Sequence, residues 1–298
     1  NAVLSAAGDT KRPLYYLAFA GVVNVILNLF FVIVCHLGVA GVALASMISQ
    51  FISAFLILRA LLTGKEKYCL RLSEIRFDRR KAASILQIGI PSAFQYSLFA
   101  FANLFVQSSV NSFDHVLVEG NSAAANADPL VYDMMAAFYT ACSSFIAQNF
   151  GAQKKKRILQ TYLICLFYSF ITSLVLGVGL YLARYPFLYL FTSDKAVVEA
   201  GITRLSIMAL SYSASAFMDA SIAASRGLGK TAVPTFVVVM GSCVFRIIWI
   251  YTIFAYFHTI QSLYILYVFS WGITAIAENI YFFHVYRHTL TGKTESHL

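Results

Sequence analysis

The chain has 298 residues, of which 59% are hydrophobic and only 12% charged, with a mean hydropathy of +0.73 and a formal charge of +9. A water-soluble domain carries about 25% charged residues, so that class is excluded. Five cysteines scattered without CxxC or Cys/His spacing indicate neither a zinc module nor a disulfide framework.

Crossing a bilayer takes about 20 consecutive, mostly apolar residues. In chain order, the stretches that meet this need are Leu14–Val34, Val39–Leu58, Ala82–Phe113, Pro129–Gly151, Ile158–Ala183, Ala200–Ser225, Val233–Phe257 and Ser262–Tyr286. They are too long and too continuously apolar for barrel strands, and only helices or closed barrels satisfy a backbone in lipid. The fold class read from this pattern is an all-α polytopic membrane protein with eight transmembrane helices. Thr63–Lys81 is the longest polar stretch. It divides the chain into 1–63 with two helices, 64–81 as a linker, and 82–298 with six. Asp114–Pro129 reads as a loop, and Arg184–Glu199, rich in Tyr and Phe, as a segment lying among the headgroups.

Charge follows the same alternation. One set of loops holds Lys11 and Arg12, the basic residues of Arg59–Lys81, Lys154 to Arg157, Arg226 and Lys230, and Arg287 with Lys293. The other set has Arg184 and Lys195, with the acids Asp114, Glu119 and Asp128; the remaining cations, Arg204 and Arg246, fall inside spans. This is the positive-inside pattern, and it predicts a multi-pass protein of the cell membrane with both ends of the segment cytoplasmic. The basic clusters are accounted for by topology and anionic headgroups, so no nucleic-acid partner is expected.

The pattern Gly-x-Thr-x-x-Pro occurs at Gly8–Pro13 and again at Gly229–Pro234, each time opening two apolar stretches. Six spans separate the two starts. An even number returns the chain to the same side, which is the mark of parallel repeats and places a substrate site between like halves. Pro13 and Pro234 fall where a missing N–H costs little. The run from Ala224 to Thr231 approaches a nucleotide-binding loop, but its first glycine is Ala224 and no strand precedes it, so phosphate cradling is not expected.

Polar residues inside spans are costly and mark function. Asp219 lies deep in the sixth span among Ser211, Ser213, Ser215 and Ser221. It reads either as a proton or sodium coupling site or as half of an ion pair with Arg246. Glu278, nearer an end, reads as a snorkelling or paired group. The third span carries Gln95, Asn103, Gln107 and Asn111, the last three on one helical face, and the fourth carries Tyr132 and Tyr139. That stripe predicts a water-filled, substrate-binding cavity. Asn24 and Asn28 repeat the spacing in the first span. No nucleophile–base–orienter set and no metal-ligand spacing appear, so neither an enzyme nor a resident metal or cofactor is expected.

These residues together resemble the multidrug and toxic compound extrusion (MATE) family of secondary transporters. The resemblance rests on Gly8-Asp9-Thr10-Lys11-Arg12-Pro13 with Asn24 and Asn28, Gly38-Val39-Ala40-Gly41-Val42-Ala43, and Gly89-Ile90-Pro91. It continues through Gly120-Asn121-Ser122-Ala123-Ala124, Gln148-Asn149-Phe150-Gly151-Ala152, and Arg226-Gly227-Leu228-Gly229 with Pro234. It implies two six-helix lobes around a central cavity. The chain would hold helices five to twelve, without helices one to four. It also implies alternating-access export of amphipathic, often cationic substrates, driven by H+ or Na+. The alternative is a flippase of lipid-linked oligosaccharide or lipid-like metabolites, which related folds perform. By the family pattern, Asn24 matches an Asn of the cation network and Ser46 its hydroxyl, while Asn28 stands where some members carry an acid. Phe99 stands near the place where others carry a carboxylate. Asp219 remains the coupling candidate, with Gln95, Asn103, Gln107, Tyr132 and Tyr139 the substrate-cavity candidates.

Overall fold

The computed structural model describes residues 2–63, 69–71, 73 and 76–288. Part of the expected linker, and the tail with Lys293, lie outside the described residues. Among the described residues eight helices are long and apolar enough to cross a membrane: α1 Lys11–Val34, α2 Gly38–Thr63, α3 Arg79–Val110, α4 His115–Gly151, α5 Lys155–Leu182, α6 Lys195–Gly227, α7 Ala232–Phe257 and α8 Ile260–His288. No strand occurs among the described residues. The chain separates into two compact units, Asn1–Asp78 and Arg79–Leu298. The expected linker end at Lys81 is already helix, since α3 begins at Arg79.

Local chemistry sets the helix starts. Pro13 and Pro234 sit in the first turns of α1 and α7. Gly8 and Gly229 just before them have φ of +87° and +75°, the left-handed region that a residue without Cβ enters freely. The two repeat motifs thus build the same turn twice. In contrast, Asp114–Pro129 is not the loop its acids suggested. Asp114 caps His115–Ala125, its Oδ1 accepting from the Leu117 N–H at 3.0 Å. Only a break at Asn126 separates that segment from Ala127–Gly151, where Pro129 occupies the tolerated first turn.

In the first unit, α1 and α2 pack on each other through Ala20, Gly41 and Ala45, with large apolar side chains such as Phe19, Phe51 and Phe55 exposed along their outer faces. In the second unit α6 is the axis: 67% of its apolar window is buried, against 11% for α3. Small residues make this possible. A Cβ on Gly177 of α5 would lie 2.0 Å from the Ala209 carbonyl of α6, and one on Gly120 of α4 would lie 2.7 Å from the Gly201 nitrogen. In lipid, where tails are as apolar as Leu, such close packing and interhelical hydrogen bonds hold helices together. Buried Ser211, Ser215, Ser221 and Ser225 extend the small face of α6.

Candidate functional site

Two cavities of the second unit adjoin each other. One, of about 550 Å3, is lined by Gln95, Asn103, Asp133, Tyr139, Asp219 and Arg226, among others. The other, of about 430 Å3, is lined by Gln107, Asn121, Asp128, Arg204, Tyr264 and Arg246, among others. They share a wall of Phe99, Asn103, Tyr132 and Trp271. Both volumes fall in the range of small-molecule sites.

The first is a carboxylate cavity. Asp219, half-buried on α6, faces it with Tyr139 and Arg226. Arg226 is turned toward α3, donating from Nη2 to the Gln95 side-chain oxygen at 3.0 Å and lying over the Tyr96 ring at 5.8 Å. The Thr235 hydroxyl donates to the same Gln95 oxygen at 3.3 Å. Arg226, at the end of a span, is therefore part of this cavity. Behind it Glu278 of α8 is fully buried, and neither carboxylate oxygen has a hydrogen-bond partner. Arg226 and Asp219 are the charges that act on it. The expectation that Glu278 snorkels or pairs is thus wrong. Glu278 follows Trp271 by seven residues and Thr274 by four, which places all three on the core-facing side of α8. That spacing was the signal in the sequence.

The second is an arginine cavity. Arg204 Nη2 meets Asp128 Oδ2 at 2.5 Å and its Nη1 donates to Asn121 Oδ1 at 2.8 Å, while the Tyr212 hydroxyl donates to the other Asp128 oxygen. Asp128, read from sequence as a loop acid, is a half-buried partner. Arg246 is 1% exposed. It does not pair with Asp219: Nη1 donates to Asn103 Oδ1 at 2.9 Å and Nε to the Ser270 hydroxyl at 3.3 Å. Tyr132 stands between them, within reach of both charges. Two π-helical stretches, Val239–Val244 and Ile250–Phe254, bracket the short α-helical segment that carries Arg246; such stretches are frequent at functional sites.

The sequence candidates divide accordingly. Gln95, Tyr139 and Asp219 face the carboxylate cavity, Gln107 and Arg246 the arginine cavity, and Asn103 and Tyr132 both. Asn111 lies beyond them, accepting from Gln107 Nε2 at 2.9 Å. In the first unit Asn28 donates to Asn24 Oδ1 at 3.0 Å, and Asn24 donates to Ser49 at 3.2 Å and to Ser46 at 3.5 Å. Ser49, the nearer hydroxyl, was not singled out from the sequence. This cluster is uncharged. Among the described residues no group of three or more His, Cys, Asp or Glu could hold a metal ion.

The MatE family model matches residues 91–252, which includes both cavities' α4 and α6 walls. The chain is 32% identical over 159 residues to the probable multidrug resistance protein YpnP of Bacillus subtilis, covering 53% of this chain and 35% of that protein. It is 23% identical over 243 residues to the probable multidrug resistance protein NorM of Thermotoga maritima, covering 78% and 51%. The chain thus spans about half or less of the length of these relatives. Among solved structures, a MOP superfamily transporter from Pyrococcus furiosus superposes with a TM-score of 0.88 at 20% identity, covering 95% of this chain and 64% of that one. That likeness concerns the fold.

Proposed function

Since the chain belongs to the MatE family of membrane transporters, we propose that it forms part of a secondary active exporter of small amphipathic molecules, driven by a proton or sodium gradient. The observation that carries this reading is the pair of carboxylates Asp219 and Glu278 with one cation, Arg226, near both. An ionised carboxylate in a low-dielectric interior costs several kcal/mol unless it is protonated or meets a cation. Glu278 has no hydrogen-bond donor to offset that cost. Asp133, also on the cavity wall, is exposed, so the two less exposed acids and one arginine leave room for one more positive charge.

In this reading the extra charge is either the coupling ion or the cationic group of a substrate, and the two exclude each other. Entry of H+ or Na+ at Asp219 cancels the attraction that holds a cationic substrate against Tyr132, Tyr139 and the amides of Gln95 and Asn103. A ligand shifts an outward/inward equilibrium only by its differential affinity for the two states, so exclusive occupancy of one acid gives exchange its direction. Asn24, Asn28 and Ser46 contribute a neutral polar cluster in the first unit, and the excess of Lys and Arg in one set of loops supports a cytoplasmic position for both ends of this segment.

The test is efflux of a fluorescent organic cation from cells that express the protein. Asp219→Asn is expected to reduce efflux to the level of cells without the protein while its abundance in the membrane is unchanged. Efflux and ion dependence equal to wild type in that variant would remove the coupling assignment.

A further inference from the structure

Arg246 is buried in the arginine cavity without a carboxylate partner among the described residues. Its Nε and Nη1 are held by neutral groups, Ser270 and Asn103, and Nη2 has no partner. Its guanidinium lies between two rings, 4.9 Å from Phe99 and 4.4 Å from Tyr267. Those contacts orient the charge without neutralising it. Asp128 is the carboxylate that faces this cavity, and it is engaged by Arg204 and Tyr212. Two more buried donors there have no partner, Arg204 Nε and the Tyr264 hydroxyl. The walls that carry these donors also present four rings, Phe99, Tyr132, Tyr267 and Trp271, beside Val106, Val110 and Met208.

From this arrangement we infer that the arginine cavity is a binding site for an aromatic anion, a flat ring bearing a phosphate or carboxylate. The anionic group accepts from Arg246 Nη2, with Arg204 Nε and Tyr264 as further donors, and the ring stacks against this cavity's own rings, Tyr267 among them. Three buried donor groups without acceptors are unusual, since buried polar groups are nearly always paired. An oxyanion satisfies several at once, and an arginine fork matches its planar or tetrahedral oxygens. A neutral or cationic ligand leaves the guanidinium uncompensated. The exporter reading above is needed only for calling this ligand a substrate; the site itself stands on the donors.

Calorimetric titration of the protein in nanodiscs separates the two. The probes are 1-naphthyl phosphate, neutral 1-naphthol, inorganic phosphate and the short-chain lipid dihexanoylphosphatidylglycerol. The expected result is naphthyl phosphate binding at least about tenfold more tightly than 1-naphthol or inorganic phosphate, a margin of roughly one charge-assisted hydrogen bond. Arg246→Met is expected to abolish that margin and leave 1-naphthol unchanged. Arg246→Lys, which keeps the charge on a smaller donor set, is expected to retain part of it and serves if the Met variant does not fold. Tyr267→Leu is expected to weaken naphthyl phosphate and spare inorganic phosphate. The inference is overturned if naphthyl phosphate binds no better than 1-naphthol, if Arg246→Met keeps the full margin, or if the lipid binds more tightly than naphthyl phosphate. Any of these alongside persistent Asp219-dependent efflux sinks the anion site and leaves the export reading standing.

Discussion

The carboxylate and arginine cavities both draw on α3, α4, α6 and α8 and share Phe99, Asn103, Tyr132 and Trp271, yet they carry opposite charge. Asp219 and Asp133 face one, with Glu278 buried nearby; Arg204 and Arg246, with Asp128 already engaged, face the other. Had Arg246 reached Asp219, the pair would have neutralised both, and breaking such a buried pair is costly. Instead Asn103 and Ser270 hold the guanidinium on its own side, with Tyr132 between the charges. Separation by one aromatic layer keeps both groups available to mobile partners. A static pair would rigidify the lobe without responding to anything.

The comparison can be broken in graded ways. The largest effect is expected at Asp219. Replacing it with Asn removes the carboxylate that faces the cavity, and measured coupling between driving ion and substrate should fall by the full interaction, about 5- to 150-fold. Glu278→Gln comes next and should act in two opposite directions. An uncompensated buried carboxylate is exchanged for a neutral isostere with a smaller desolvation cost, so thermal unfolding in detergent should shift upward by the equivalent of about 1 kcal/mol or more. Transport should nevertheless slow, because one of the two acids is gone. A variant that was destabilised and fully active would show that Glu278 is merely structural.

Smaller effects are expected where the charges are only positioned. Gln95→Leu deprives Arg226 and Thr235 of a shared acceptor, frees the guanidinium to turn toward Asp219, and should weaken binding of a cationic substrate by a few fold, given roughly 0.6–2 kcal/mol per intramembrane hydrogen bond. Equilibrium dialysis of a labelled organic cation measures it. The smallest change is expected from Asn24→Ala in the neutral cluster of the first unit. It should lower stability by about 1 kcal/mol and leave ion coupling intact. Loss of coupling in that variant, read from the same efflux assay, would move the coupling site to the first unit.

Much of the fold was legible because lipid imposes a simple rule: eight apolar stretches of sufficient length became eight helices, with ends displaced by a few residues. The paired turns at Gly8 and Gly229 were equally readable, since the conformation needs the residue type. The misreading of Asp114–Pro129 came from taking acids as a sign of exposure. Asp114 was capping a helix, and Asp128 was neutralised by Arg204, which is 76 positions away in sequence. Glu278 and Arg226 were missed for a related reason: distance from a span's end says nothing about which face a side chain presents. The amide stripe located the cavities. It could not show that Gln95 and Asn103 each hold an arginine, because those partners lie on other helices.

The central claim is that the second unit's carboxylate couples ion to substrate, and transport by reconstituted protein under an imposed gradient tests it most directly. Proteoliposomes are given a proton gradient or, separately, a sodium gradient, and accumulation of a fluorescent cation is followed for wild type and Asp219→Asn. The account predicts that one of the two gradients drives accumulation by the wild type and that neither drives it in the variant. Equal gradient-driven accumulation by Asp219→Asn would contradict it.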